Sequence, residues 1–435
     1  MLKLNPGQQA AVDGVVKGFL EGGAKGFVII GEGGTGKTTC VMTAAQRFLD
    51  AGLKVLFAAP TNKAVKQLEK SAKSFGLSGN NCAFQTLHSA LGLALLPSEE
   101  NKYAAQVGDG VFDIFDICIC DEASMLSKIL LQNYLMPRAS AKHVRLVLMG
   151  DDMQLPPVKE AKSLAFEQFP QYRLTEVERQ SEGSEILTVT GLLRTAIEGG
   201  KVFKHPEVSG AVETLRAIDF LPKLLEEFDS STDLEKVRVL AWRNRRVDEI
   251  NAAIRRKIYG KVAERFETGE RVVTGAPVMG ADGPLLSTDE ECTVQYCKED
   301  SLWDEDSGEE FKTYLLALKP IYADASQVFA HVLHESEEDR YWGRLNELAK
   351  KAKAHPNMAR NYWARYHKFK DLFSTIKYCY CITVHRSQGS TYDTVFVDVK
   401  DLLGNTIRKE RQSLLYVAFS RPRERLVINK SAYVA

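Results

Sequence analysis

The chain carries no net charge: 57 lysines and arginines are balanced by 57 aspartates and glutamates. The strongly basic composition typical of many nucleic-acid binders is therefore missing, though a neutral molecule can still hold a basic groove. Zinc-type spacing is missing too, since the eight cysteines include no CxxC pair. Cys118 with Cys120, and Cys379 with Cys381, stand two apart in strand-like runs, which places each pair on one side of a strand. That pattern predicts buried, reduced thiols rather than a metal site or disulfides. No apolar run approaches the roughly 18 residues a membrane span needs; the longest candidate, LGLALL at 91–96, is far too short. The opening MLKLNPGQQAAVDG holds no stretch able to act as a signal peptide. These absences predict a cytoplasmic protein with no membrane partner. Internal repeats and low-complexity linkers are also lacking. At 435 residues the chain exceeds one ordinary core of ~100–200 residues, so two to four domains are expected.

What is present is alternation. GFVIIG at 26–31 reads as a short apolar strand entering a glycine-rich turn, and TTCVMTAAQRFLDAG as the helix after it. KVLFAAP at 54–60 is a strand, NKAVKQLEKSAKSFG a helix, and ICICDEAS at 117–124 and HVRLVLMGDD at 143–152 are further strands. Strands alternating with helices predict a parallel α/β sheet. The polar stretch around 97–111 predicts an inserted hairpin or small subdomain. A second α/β region opens near 237 with VRVLAWRN and the helix VDEINAAIRRKIYG, and resumes with KYCYCITVHRSQGSTYDTVFVDV and LLYVAFSRPRERLVI. Between them, at about 270–375, lie β-like runs (ECTVQYC, FKTYLLALK) and a charged, aromatic helical stretch. The expected domains are 1–180, with an insert at about 90–112, and 181–435, interrupted at about 270–375.

GEGGTGKT at 31–38 matches the phosphate-binding loop G-x-x-x-x-G-K-[ST] in full, between a strand and a helix as required. Gly33, Gly34 and Gly36 let backbone N–H groups approach phosphates, and the helix N-terminus adds a favourable dipole. Thr35 and Thr39 complete the nucleotide-contacting segment, Lys37 is expected on the β- and γ-phosphates, and the Thr38 hydroxyl on Mg²⁺. ICICDEAS supplies the acids: Asp121 is placed near Mg²⁺ and Glu122 can activate the attacking water. These residues predict nucleotide hydrolysis with ATP and Mg²⁺ as cofactors. The GTP-specificity signature [NT]KxD is absent from the expected region.

GDDMQLPPV at 150–158 resembles the third motif of superfamily 1 helicases, and other motifs stand around it in family order. LNPGQQAAV resembles the Q motif, with Gln8 at the adenine-recognising position. AAPTNKAV at 58–65 looks like motif Ia, TLHS at 86–89 like the motif that follows it, and LTEVERQ carries the family arginine as Arg179. TVHRSQGSTYDTVFVD looks like motif V, with Gly389 at the nucleotide, and LLYVAFSRPRER like motif VI, with Arg421. The resemblance is to the RecD-like branch, which includes the Dda-type phage helicases. It implies two RecA-like domains with parallel sheets. A hairpin or pin would be inserted in the first, and an SH3-like β part with a helical insert in the second. Glu122, Lys37, Gln154, Arg179 and Arg421 would form the catalytic set, the two arginines reaching ATP from either side of a cleft. DNA contacts would come from Pro60, Thr61, Asn62, Thr86, His88, Asn244, Arg245, Thr383 and His385, groups that hold backbone without reading sequence.

The implied activity is ATP-dependent translocation on single-stranded DNA, 5′→3′, with unwinding of forked duplexes in a bacterial or phage-infected host cytosol. The protein would work as a monomer, with a single-strand-binding protein or other replication proteins as partners. The alternative is a DNA-stimulated ATPase that loads or remodels, or the motor subunit of a nuclease complex. Two departures stand out: Gly33 where many relatives have alanine, and Pro422 directly after the motif VI arginine. For Trp242 and Phe84, and for Trp342, Tyr362, Trp363 and Tyr366 in the second insert, packing is favoured over DNA stacking. Tyr103 is the only aromatic of the expected pin.

Overall fold

The computed structural model describes residues 4–98, 101–106, 108–157, 160, 162–176, 185–203, 210–260, 264–280, 283–322 and 326–429. The chain packs as two compact units, Met1–Gly92 with Asp109–Ile258 and Tyr380–Ala435, and Leu93–Gly108 with Tyr259–Cys379. No helix among the described residues is long and apolar enough to cross a membrane. All eight cysteines are free.

The first unit begins with α1 (Pro6–Leu20), whose start is set by local chemistry. Asn5 Oδ1 accepts from Gln8 N at 2.8 Å and Gln8 Oε1 accepts from Asn5 N at 3.0 Å, a reciprocal capping box with proline at the first helical position. Ala11, Val12, Val15, Val16 and Phe19 recur at helical spacing and are buried. The chain continues through β1 (Gly26–Gly31), α2 (Lys37–Asp50), β2 (Val55–Ala59), α3 (Asn62–Ser74), β3 (Cys82–Thr86) and the single turn α4 (Leu87–Ala90). It then leaves for a hairpin, β4 (Leu93–Ser98) and β5 (Asn101–Gln106), that belongs to the second unit. On return it forms β6 (Ile117–Cys120), α5 (Met136–Lys142), β7 (Arg145–Gly150) and β8 (Gln171–Leu174). These strands build one sheet in the order β3-β2-β6-β7-β1-β8, parallel throughout. Strands β1, β2 and β6 are buried along their whole length, as strands covered on both faces must be.

A second parallel sheet follows in the same unit. Its elements are α6 (Glu185–Glu198), β9 (Val212–Leu215), α7 (Ala217–Glu226), β10 (Val237–Ala241) and α8 (Asn244–Tyr259), then, after the second unit, β18 (Cys381–Thr383), β19 (Tyr392–Val397), α11 (Val399–Leu402), α12 (Arg408–Phe419) and β20 (Pro422–Asn429). The strand order is β18-β10-β19-β20-β9. The two parallel sheets meet the expectation of paired RecA-like α/β cores.

The second unit is built differently. β11 (Arg271–Thr274), β14 (Glu291–Asp304), β15 (Glu309–Pro320), β16 (Val328–Leu333) and β17 (Ile376–Tyr378) form an antiparallel sheet in the order β16-β15-β14-β11-β17. A small hairpin, β12 (Val278–Gly280) and β13 (Gly283–Leu286), lies beside it in sequence. Entering strand β11 and leaving strand β17 pair directly, Val272 opposite Tyr378. Two helices, α9 (Glu338–Ala354) and α10 (Ala359–Asp371), close an apolar cluster of Phe311, Leu345, Leu348, Trp363, Tyr366 and Phe369. Trp363 and Tyr366 are thus packing residues, with Tyr362 against the same cluster, whereas Trp342 is 55% exposed. The β4–β5 hairpin rests on α10 through β4; the Tyr103 side chain lies outside the described residues.

Candidate active site and nucleic-acid track

The turn after β1 has the backbone that its glycines permit. Gly34 and Gly36 sit at φ 92° and 80°, in the left-handed region where a side chain is strained, and Gly36 caps α2. Gly33 differs: its backbone is ordinary and a Cβ built there meets nothing within 4 Å, so the alanine of many relatives would fit. Thr35 is fully buried, its Oγ1 donating to Glu32 O at 2.9 Å. Gln8, also fully buried, donates from Nε2 to Thr35 O at 3.2 Å. Its amide therefore braces the phosphate loop at the position where the resemblance implies adenine recognition. Lys37 Nζ is folded onto the loop, donating to Gly31 O at 2.6 Å and Glu32 O at 2.9 Å.

β6 carries the two acids to the same place. Asp121 Oδ1 accepts from Glu122 N at 2.8 Å, and Glu122 adopts φ 52°, ψ 45°, an uncommon conformation for a residue with a side chain. Across from it Gly389 is also left-handed, and a Cβ there would stand 3.2 Å from Glu122 Oε1. Both carboxyl groups are only partly open to the cleft. Withdrawal from water, then the charge of Asp121, lifts Glu122 to about 7, against the pull of Arg421 and Lys37. Burial likewise raises Asp121, opposed by the Glu122 N–H and by Lys37. A carboxylate held near neutrality suits a general base.

The cleft these residues share measures about 440 Å³. Gly33, Gly34, Gly36, Lys37, Thr38, Thr39, Asp121, Glu122 and Gln154 line it from the first sheet, and Gly389, Thr391, Ser420 and Arg421 from the second. Gln154 lines the same cleft, and its Oε1 is buried without a hydrogen-bond partner among the described residues. A hydroxyl and a carboxylate, Thr38 and Asp121, provide the hard oxygen ligands Mg²⁺ prefers. The residues present therefore fit a nucleotide and its cation. Arg421 is buried at the edge of the cleft: Nε donates to Val417 O at 2.9 Å, one terminal nitrogen to Ser390 O at 3.0 Å and the other to Ser420 Oγ at 2.9 Å. Burial lowers its pKa, partly offset by Glu122. Arg179 lies outside the described residues.

The expected track residues occupy matching places on the two sheets. Ala59 pairs with Thr86 on β2 and β3, and Ala241 pairs with Thr383 on β10 and β18. Both T-x-H strands are edge strands. Pro60 follows β2 directly, Thr61 caps α3 by accepting from Ala64 N, and Thr86 caps α4 by accepting from Ser89 N. Thr383 Oγ1 accepts from Arg386 N at 3.4 Å. Burial depresses the pKa of both His88 and His385, so each imidazole is neutral near pH 7 and offers a polar group rather than a cation. Asn62 is half-buried; Asn244 and Arg245 are exposed, and Arg245 pairs with Glu249 at 3.1 Å. Phe84 stacks on Phe57 with centroids 5.0 Å apart, a packing role.

Several participants carry little sequence signal. Asp401, 3% exposed, accepts from Trp242 N at 2.8 Å and Arg243 N at 2.9 Å, and so holds the loop leading to Asn244. Gln388 Nε2 donates to Leu155 O at 3.3 Å, and Tyr416 OH to Asp151 Oδ2 at 2.7 Å. Gln67, Ser71 and Phe75 of the α3 region also line the cleft. Only the acidic D-x-x-D after strand β19 and the doubled acid in GDD hinted at any of these.

Residues 3–215 match the family described as an AAA domain, and residues 378–428 match the family described as a UvrD-like helicase C-terminal domain. The ATP-dependent DNA helicase dda of Enterobacteria phage T4 is 28% identical over 452 residues, covering 97% of this chain and 98% of that one. An uncharacterized protein of Acanthamoeba polyphaga mimivirus is 25% identical, covering 97% and 99%. The crystal structure of Pif1 helicase from Bacteroides in complex with ADP-AlF3 and ssDNA shares the fold, with a TM-score of 0.54 at 17% identity over 99% of this chain and 93% of that one. The motifs, the paired parallel sheets and these matches agree: the chain is similar to the superfamily 1 helicases of the Dda type and shares its fold with Pif1 helicase.

Proposed function

We propose that the chain is an ATP-dependent DNA helicase that moves 5′→3′ on single-stranded DNA and separates forked duplexes. The observation that carries this reading is the cleft in which the phosphate loop, Glu122 and Gln154 of one sheet face Arg421 of the other. Mg²⁺, held by Thr38 and Asp121, would neutralise phosphate charge when nucleotide is bound. Lys37 exchanges the carbonyls of Gly31 and Glu32 for phosphate oxygens. Gln154 orients the attacking water, and Glu122 accepts its proton. Arg421 leaves Val417 and Ser390 for the γ-phosphate, where positive charge is needed most in the transition state. Because Arg421 stands on the second sheet, nucleotide binding draws the two sheets together and product release lets them part.

DNA lies across the ends of β2, β3, β10 and β18. There Pro60, Thr61, Asn62, Thr86 and His88 on one sheet, and Asn244, Arg245, Thr383 and His385 on the other, hold its backbone. The β4–β5 hairpin serves as the strand-separating pin. The protein acts as a monomer alongside a single-strand-binding protein, in a bacterial or phage-infected host cytosol, a compartment in which free thiols persist. The relative from phage T4 bears the name of an ATP-dependent DNA helicase, and the Bacteroides Pif1 structure contains single-stranded DNA. Unwinding assays on duplexes bearing only a 5′ or only a 3′ overhang test the reading. Strand separation from the 5′ overhang alone is expected; separation from the 3′ overhang alone refutes the polarity, and hydrolysis without separation refutes the helicase.

A further inference from the structure

Asp151 follows β7, is 1% exposed, and shares a turn with Gln154. Its Oδ1 accepts from Met153 N at 3.1 Å, which shapes that turn, and its backbone carbonyl accepts from Gln154 N at 3.2 Å. Its other oxygen is given to Tyr416, 265 residues further along the chain. Tyr416 lies on α12, is 1% exposed, and precedes Val417, whose carbonyl holds Arg421 Nε at 2.9 Å. One buried carboxylate thus ties the turn carrying Gln154 to the helix that restrains Arg421. The same turn is gripped a second time, by Gln388 on Leu155 O.

A buried carboxylate is costly unless donors and positive charge surround it. Tyr416 supplies the donor, and Arg194 of α6 supplies charge nearby, its guanidinium 3.8 Å from Asp152 and 3.9 Å from Glu32. Burial, and then the charge and hydrogen bond of Asp151, raise the pKa of the Tyr416 phenol and keep it protonated, against the opposing pull of Arg194. Neither Asp151 nor Tyr416 lines the cleft, so the pair does not serve to bind nucleotide.

We propose that Tyr416 is a positioning residue: through Asp151 it keeps α12 in register with the Gln154 turn, so that the Gln154 amide and the Arg421 guanidinium reach the same phosphate together. The assignment rests on the reaction proposed above and adds the residue that synchronises its two halves. When Arg421 gives up its restraints on Val417 and Ser390, the Tyr416–Asp151 bond continues to tie α12 to the first sheet.

The test is Tyr416→Phe, which keeps the ring and removes only the hydroxyl, together with Asp151→Asn and the double variant. ATP hydrolysis is measured with and without single-stranded DNA, and each protein is checked by thermal melting at the assay temperature. Tyr416→Phe is expected to lower kcat about tenfold in both conditions, the scale of a hydrogen bond to a buried charged group, with KM for ATP within about twofold of wild type. The double variant is expected to be no slower than Asp151→Asn alone, because both changes remove the same bond. An unchanged kcat, a rise in KM at constant kcat, or losses that multiply in the double variant would each overturn the assignment. A wild-type protein without DNA-stimulated hydrolysis would instead overturn the helicase reading, while the ratio of Tyr416→Phe to wild type without DNA would still decide the role of Tyr416.

Discussion

The two parallel sheets of the first unit run in the same strand order, position by position. From the T-x-H edge, β3-β2-β6-β7-β1 corresponds to β18-β10-β19-β20-β9, and the first sheet adds β8. Yet only one of them is built for chemistry. After β1 come five residues of glycine-rich loop and then α2; after β9 only Arg216 precedes α7. After β6 come Asp121 and Glu122, facing the cleft. After β19 come Asp398 and Asp401, which are instead spent inside the fold: Arg246 Nε reaches Asp398 at 2.6 Å, and Asp401 holds Trp242 and Arg243. The same address in the sheet thus carries acids kept without strong partners in one case and acids fully paired in the other. The edge, by contrast, is duplicated with its register intact, Ala59–Thr86 and Ala241–Thr383. The motor proposed above, which grips a repeating backbone, would need two equivalent hands but only one engine.

Three changes probe that division, from the most to the least damaging. Arg421→Ala removes the second sheet's main charged group in the cleft. Steady-state hydrolysis should fall by about 10³-fold or more, as for other arginines that supply transition-state charge, with nucleotide still bound in equilibrium titrations. If the loss is less than about tenfold, the second sheet does not take part in the chemistry. Glu122→Gln and Asp401→Asn contrast the equivalent acids. The former should cost about 10²–10⁴-fold in kcat with nucleotide affinity retained. The latter should leave kcat for DNA-free hydrolysis near wild type and lower the melting temperature, since two backbone N–H groups lose a charged acceptor.

Glu122 also gives the pair a pH signature. Its folded pKa, about 7, lies above its ordinary value, so the folded chain holds a proton that the unfolded chain has lost. The stabilising effect of that proton is complete below the ordinary value and disappears as pH rises through about 7. Melting temperatures of Glu122→Gln should therefore exceed wild type at pH 8 and converge with it near pH 4. Hydrolysis by wild type should rise between pH 6 and pH 8, the range in which the base deprotonates. The smallest effect is expected from Gly33→Ala: with ordinary backbone and open space around the built Cβ, kcat and KM should stay within about twofold.

The phosphate loop and the acids could be read from the sequence because their chemistry forces residue types into short windows, GEGGTGKT and CDEAS. The parallel sheets were readable for a related reason, since apolar runs alternate with amphipathic helices. What stayed hidden depends on contacts between distant segments. Nothing local marks Tyr416 as the partner of Asp151, or Gln388 as the partner of Leu155, because each bond is made only once two sheets are assembled. Gln8 shows a subtler limit: its motif was plain, but its bond to the Thr35 carbonyl is made only once the helix cap meets the phosphate loop. The antiparallel sheet was similarly opaque. β14 and β15 pair from Cys292–Pro320 to Asp304–Glu309, yet only fragments such as ECTVQYC show strand character. Half-exposed strands with charged outer faces dilute the apolar signal on which such a reading depends.

The direct pairing of β11 with β17 has a consequence for how such a chain can change over generations. The chain departs from the second parallel sheet after α8 and comes back to it at β18, and the departing and returning strands lie side by side. Everything between them is a detour with a closed neck. Lengthening or shortening it alters no strand of either parallel sheet and adds little closure entropy, because the neck is already zipped. Lineages can therefore exchange this cassette as they would a tool on a common handle, keeping the engine while refitting what it works on.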